Sequence, residues 1–157
     1  MPIVQDLEKL KQYLAEKLGG TDLEIVSEWK NIEGWSMETF SLGLRYKKDG
    51  QPVEQEIIIR KEPVSGLLEP YDVSIEYRVL KALQDKNVAV PRVYWYEENP
   101  DILGLPFYVM EKVDGVILRT PDQMAQLSPA DARRCSDELV DVLVAIHAVD
   151  HEAVGLA

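Results

Sequence analysis

Three consecutive β-branched residues, Ile57-Ile58-Ile59, run straight into a guanidinium at Arg60. Branched side chains lose rotamer freedom in a helix and pack well on a pleated surface, so the run reads as a buried strand. Turn signals bracket it: Lys48-Asp49-Gly50 before, Pro63 and Pro70 after. Glycine takes positive φ without steric cost, which makes the first of these a hairpin turn. The strand over 53–60 therefore pairs with a strand just upstream. There, Phe40, Leu42 and Leu44 alternate with Ser41, Gly43 and Arg45, giving a second strand over 35–46. Leu23, Ile25 and Trp29 read as a first strand with alternating faces, joined to the second by Asn31-Ile32-Glu33-Gly34. The first half is thus an antiparallel meander. Ahead of it, Val4, Leu7, Leu10, Leu14 and Leu18 recur at helical spacing until Gly19-Gly20 ends the pattern. That amphipathic helix docks on something larger.

Beyond Pro70, Asp72 or a near neighbour caps a helix running to about Lys86, with Val73, Tyr77, Leu80 and Leu83 on its apolar face. Glu76 shares that face, three and four positions from Val73 and Leu80. A carboxylate there is costly unless a cation partners it, and Arg60 is the natural partner. Arg78 and Lys81 lie two and five positions away, the wrong spacing for an i,i+4 pair. Extended segments follow over 92–97 and 106–112, separated by a turn at Glu98-Asn99-Pro100-Asp101. Thr120 to Leu127 reads as a short polar helix or loop. Ser128-Pro129-Ala130-Asp131 then starts a helix running to about Ala148: a Ser cap, Pro at the first position, an acid three residues after the cap. Cys135, Leu139, Val142, Leu143 and Ile146 form one stripe along it. Elements of both kinds, with the strands antiparallel, make the class α+β.

Composition narrows the function. At 157 residues the chain can bury one real core. Its net charge of −11 argues against nucleic acid or an anionic membrane as the main partner, because phosphates call for Lys and Arg. The charge fits a cationic small substrate, although a solvated acidic surface is the commoner reason for it. The single cysteine, Cys135, allows no disulfide within the chain, which makes the cytoplasm the default compartment. No apolar run approaches the length of a membrane span, and the first residues lack the apolar core of a signal peptide. No His, Cys or acidic spacing matches a metal site, and His147, late in the last helix, reads as a dipole or core residue.

Several short pieces occur in a fixed order: Gly34-Trp35-Ser36-Met37-Glu38-Thr39-Phe40, Arg60-Lys61-Glu62-Pro63, Glu76-Tyr77-Arg78-Val79-Leu80, Val90-Pro91-Arg92-Val93, Gly104-Leu105-Pro106-Phe107-Tyr108-Val109-Met110-Glu111 and Ile146-His147-Ala148-Val149-Asp150. In this order they resemble the aminoglycoside phosphotransferase family, which has a protein-kinase-like fold. The branch most similar is the kinase domain fused to some acyl-CoA dehydrogenases. The resemblance runs over about residues 5 to 156.

It implies a nucleotide-binding lobe and hinge over 1–113, a five-stranded antiparallel sheet with one inserted helix and an N-terminal helix. A linker and the first helix of a C-terminal lobe would fill 114–157. It also implies an ATP (or GTP) site. Ser36 would cap the phosphates, and Arg60 would reach the α- and β-phosphates from the place where the family usually has Lys. Glu76 would orient Arg60, and Ile58 would touch the adenine. Met110 would stand at the back of the pocket, with the Glu111 C=O and Val113 N–H at the base edge. Lys61, one residue past Arg60, points to the other face and is the weaker phosphate candidate.

The family's catalytic loop, H-G-D-x-x-x-x-N, does not occur in these 157 residues: His147 is followed by Ala-Val-Asp and His151 by Glu-Ala-Val. The later metal-binding Asp is missing with it, so Mg2+ is expected only in a complete enzyme. The expectation is therefore the N-terminal, truncated part of a small-molecule kinase, catalytically inactive alone, whose full form phosphorylates a substrate hydroxyl. The competing expectation is a non-catalytic kinase-like module that pairs with a separate lobe or self-associates through its last helix.

Overall fold

The computed structural model describes residues 7–31, 37–65 and 70–156. Helix α1 (Leu7–Leu18) buries Leu10 and Leu14. It ends where Gly19 turns left-handed at φ 66° and the Gly20 N–H donates to the Ala15 carbonyl at 2.9 Å. Val4, expected on the same helix, lies outside the described residues.

The meander forms as β1 (Thr21–Asn31), β2 (Glu38–Lys48) and β3 (Gln51–Lys61). Lys48 pairs with Gln51 across Asp49 and Gly50, both at positive φ, which is the two-residue hairpin geometry. Strands β4 (Val93–Glu97) and β5 (Phe107–Glu111) complete an antiparallel sheet in the order β1-β2-β3-β5-β4. Helix α2 (Val73–Leu83) sits between β3 and β4 in the chain. It ends three residues earlier than its periodicity suggests, and just past it the Gln84 side chain accepts from the Val93 N–H at 3.2 Å. The β4–β5 connection, expected as a turn, holds a one-turn helix, α3 (Pro100–Leu103). The Asn99 side chain caps it by accepting from the Asp101 N–H at 2.9 Å, and Leu103 enters the core.

The two faces of the sheet differ. On one, Phe40, Leu42, Leu44, Ile57, Ile59, Phe107 and Val109 pack with Leu10 and Leu14 of α1 and Leu103 of α3. On the other, α2 covers only the β4–β5 side, through Val73 against Val93 and Tyr108. The triple isoleucine is accordingly split. Ile57 and Ile59 are fully buried, whereas Ile58 is half-buried on the open face.

Strand β1 departs from the alternation its sequence suggests. Strict alternation would place Trp29 beside Leu23 and Ile25. The register slips between Ile25, opposite Leu44, and Ser27, opposite Gly43. Val26 is the extra residue of this bulge, so Trp29 falls opposite Ser41 and leaves the core face.

After β5 come α4 (Pro121–Met124) and α5 (Pro129–His147). Ser128 caps α5 as its sequence suggests, its hydroxyl accepting from the Asp131 N–H at 3.1 Å. Val142 and Ala145 line a cleft with Asn87 and Val88, while Leu139 is 71% exposed and Leu143 and Ile146 are exposed too. Among the described residues, no helix is long and apolar enough to cross a membrane.

Candidate functional site

Arg60, one residue before the end of β3, points to the open face, because alternation sends Ile57, Ile59 and Lys61 to the other side. Helix α2 brings Glu76 to it. The start of that helix is held by two carboxylates. Asp72 accepts from the Ser74 N–H at 2.9 Å, and Glu62, two residues past Arg60, accepts from the Val73 N–H at 3.1 Å. The segment that carries the cation therefore also anchors the helix that carries its partner. Tyr77 fixes the rotation of α2 by stacking on Tyr96 at 5.6 Å and tilting against Tyr108 at 6.0 Å.

The pair is a fork. Arg60 donates from Nη2 to Glu76 Oε1 at 2.7 Å and to Oε2 at 2.9 Å, and from Nε to Oε2 at 3.1 Å. Its third nitrogen, Nη1, donates to Thr39 Oγ1 at 2.7 Å. The Tyr108 hydroxyl donates to Glu76 Oε2 at 3.1 Å. Burial works against the Arg60 charge, but the Glu76 hydrogen bonds and charge outweigh it and hold the guanidinium above its usual range. Burial, and then the Glu76 charge, push the Tyr108 phenol up to about 12. A lysine could not reproduce this arrangement. Its single nitrogen cannot hold a carboxylate side-on while presenting separate donors at the end of the group.

Lys61 goes elsewhere. Its side chain is 7% exposed and meets Glu38 Oε2 at 2.8 Å, and Lys30 meets the other oxygen of the same carboxylate. Burial opposes the Glu38 charge, but the two lysines hold its carboxyl below the usual range. The three side chains come from the end of β1, the start of β2 and the end of β3, where they tie these strands together.

The open face is ordered in rows across the strands. Thr39, Arg60 and Tyr108 pair in one row, and Ser41, Ile58 and Met110 in the next. Met110 packs on the Val73–Val93–Tyr108 cluster. One row further, Gly43 and Glu56 help to line an open cleft of about 510 Å³ with Ser27, Lys112 and Asp114. Glu111 closes β5. Its N–H donates to the Arg92 carbonyl at 2.8 Å and its carboxylate accepts from the Arg92 N–H at 2.8 Å, while Val113 just beyond is exposed. Ser36 lies outside the described residues. Thus Ile58, Arg60, Glu76 and Met110 come together on one face with Glu111 and Val113 at its margin. Sequence reading missed Thr39, Tyr108 and Glu62. Thr39 and Tyr108 could be found by parity once the strand register is known, whereas Glu62 acts through a loop and leaves no periodic signal. Among the described residues, no group of three His, Cys, Asp or Glu side chains is placed to hold a metal ion.

The family model described as the phosphotransferase enzyme family matches residues 44–157. The mouse (Mus musculus) acyl-CoA dehydrogenase family member 10 is 32% identical over 158 residues, which is 99% of this chain and 14% of that protein. Rat (Rattus norvegicus) acyl-CoA dehydrogenase family member 11 is 31% identical over 155 residues, 96% of this chain and 19% of that protein. The chain thus spans less than a fifth of the length of these curated relatives. A crystal structure of a Ralstonia eutropha JMP134 protein, named as a candidate aminoglycoside phosphotransferase, superposes with a TM-score of 0.69 at 29% identity. The match covers 97% of this chain and 41% of that one.

Proposed function

The chain belongs to the phosphotransferase enzyme family, and on that premise we propose that its open sheet face is the nucleotide-binding lobe of a small-molecule kinase. The observation that carries this reading is the Arg60–Glu76 fork with Thr39 and Tyr108 around it. In this reading Arg60 neutralises the α- and β-phosphates of ATP or GTP, and Glu76 fixes its direction. Ile58 and Met110 give the base an apolar floor. The Glu111 carbonyl and Val113 N–H meet the edge of the base, and Ser36 covers the phosphates. Phosphoryl transfer depends mainly on positioning and charge neutralisation. This face supplies the protein cation for that neutralisation. The catalytic base and the Mg2+ ligands would come from residues outside this chain, and the whole enzyme would pass the γ-phosphate to a hydroxyl of a small molecule.

Titration of the 157-residue chain with Mg-ATP, followed by thermal shift, tests the reading. A rise in melting temperature that disappears in Arg60→Ala is expected. No rise at millimolar nucleotide, or an equal rise in the variant, overturns it. ATP-dependent phosphorylation of a small molecule by this chain alone would overturn the assignment of catalysis to other residues.

The exposed stripe on α5, with Leu139, Leu143 and Ile146 in water, favours a second reading, a binding module that pairs with another lobe or a second copy. Light scattering at micromolar concentration tests self-association, and a clean monomer removes it.

A further inference from the structure

The bulge at Val26 has a chemical result. It turns Trp29, 60% exposed, onto the same open face as Arg60. Trp29 pairs with Ser41, Ser41 with Ile58, and Ile58 with Met110. These four residues form one row, next to the row that holds Thr39, Arg60 and Tyr108. Rows on one face are spaced by two residues of rise, about 7 Å, and neighbouring strands lie about 4.8 Å apart. The Trp29 and Ile58 backbones are therefore about 10 Å apart, with only a serine side chain between them. A flat ring laid on Ser41 and Ile58, with Met110 beyond it, would have its centre about 7 Å from the Trp29 strand, within reach of the indole for an aromatic contact. The other aromatic residues of this face, Tyr77, Tyr96 and Tyr108, pack on one another beneath α2. Among the described residues, Trp29 packs against no other ring. The row thus sets an exposed indole on the same face as the apolar Ile58 and Met110, one row from the Arg60 guanidinium.

We infer that Trp29 is the stacking wall of this site, so that the ligand is selected by a flat heteroaromatic base as well as by its phosphates. This inference rests on the nucleotide reading above. It makes Trp29 a specificity residue, whereas Arg60 reads the phosphates alone. An indole face does not tell one purine from another, so stacking on Trp29 favours bases in general over base-free polyphosphates.

Two probes separate the parts: Mg-ATP and magnesium tripolyphosphate, each titrated into the 15N-labelled 157-residue chain by 15N–1H NMR up to millimolar concentration. Trp29→Ala is expected to weaken ATP binding by about tenfold or more, in line with base–aromatic stacking elsewhere, and to leave tripolyphosphate binding within about twofold. Trp29→Phe is expected to keep most of the ATP affinity. The Trp29 indole N–H resonance, identified by its loss in Trp29→Phe, should shift with ATP and not with tripolyphosphate. Trp29 is largely exposed, so neither variant should unfold the chain. Unchanged ATP binding in Trp29→Ala, or equal weakening of both probes, overturns the role of Trp29 while the nucleotide reading stands. Binding of neither probe by the wild-type chain overturns the nucleotide reading and this inference with it.

Discussion

Replacing Arg60 with Met and Glu76 with Ala, singly and together, measures the strength of the central pair. Its three N–O approaches lie between 2.7 and 3.1 Å, and the two side chains keep 23% and 35% exposure. Exposed ion pairs contribute about 0.2–1 kcal/mol. Truncating one partner of a fully buried pair costs about 3–5 kcal/mol. The Arg60–Glu76 pair lies between these limits, and solvent screening at Glu76 pulls it towards the lower one. We expect a coupling free energy of about 1.5 kcal/mol and a cost of about 2 kcal/mol for either single change. Glu76→Ala also leaves the Tyr108 hydroxyl without its acceptor. The gain in helix propensity from alanine appears in both arms of the cycle and cancels in the coupling term. Urea denaturation of the four proteins supplies the numbers, and either single change should lower the melting temperature by about 4–8 °C for a chain of this size. A coupling within about 0.5 kcal/mol of zero would show that the fork contributes nothing to holding α2 on the sheet.

Tyr108→Phe removes one hydrogen bond from Glu76 and should cost about 1 kcal/mol near neutral pH, read by urea denaturation. The Tyr108 phenol is raised in the folded state, so its stabilisation is complete below the ordinary tyrosine pKa and is lost as pH rises towards about 12. The phenylalanine variant should therefore lose less stability than wild type across that alkaline window. Glu38 is depressed in the folded state, so its stabilisation is present above the ordinary carboxylate range and lost as pH falls below it. Glu38→Gln should flatten the dependence of the urea midpoint on pH between about 5 and 3, and an unchanged slope would remove the Lys30–Glu38–Lys61 cluster as a contributor. Leu14→Ala, at the fully buried contact of α1 with the sheet, should cost about 3 kcal/mol, measured by the same method.

Much of the fold was legible in the sequence because its signals are local. The Asp49-Gly50 turn fixes the β2–β3 hairpin, the Asp72 and Ser128 side chains start their helices where capping chemistry requires, and Gly19-Gly20 stops α1. Arg60 and Glu76 could be paired in advance because a carboxylate on an apolar helix face calls for a cation. The helix at Pro100–Leu103 was less visible, since a single turn is too short to show periodicity.

Sequence by itself determined which residues carry charge, where the β2–β3 hairpin turns and which helix face is apolar, because each of these follows from spacing along one element or one turn. Tertiary structure alone decided what meets across elements. The bulge at Val26 moved Trp29 to the opposite face, and a bulge is set by pairing between strands rather than by the residues of one strand. Thr39 and Tyr108 joined Arg60 and Glu76 only through the β2–β3–β5 register, and Glu62 reached α2 only because the chain turns back after β3. Lys61 was withdrawn from the open face by the same pleat that presents Arg60 there, and the Glu38 carboxylate between two lysines keeps it buried.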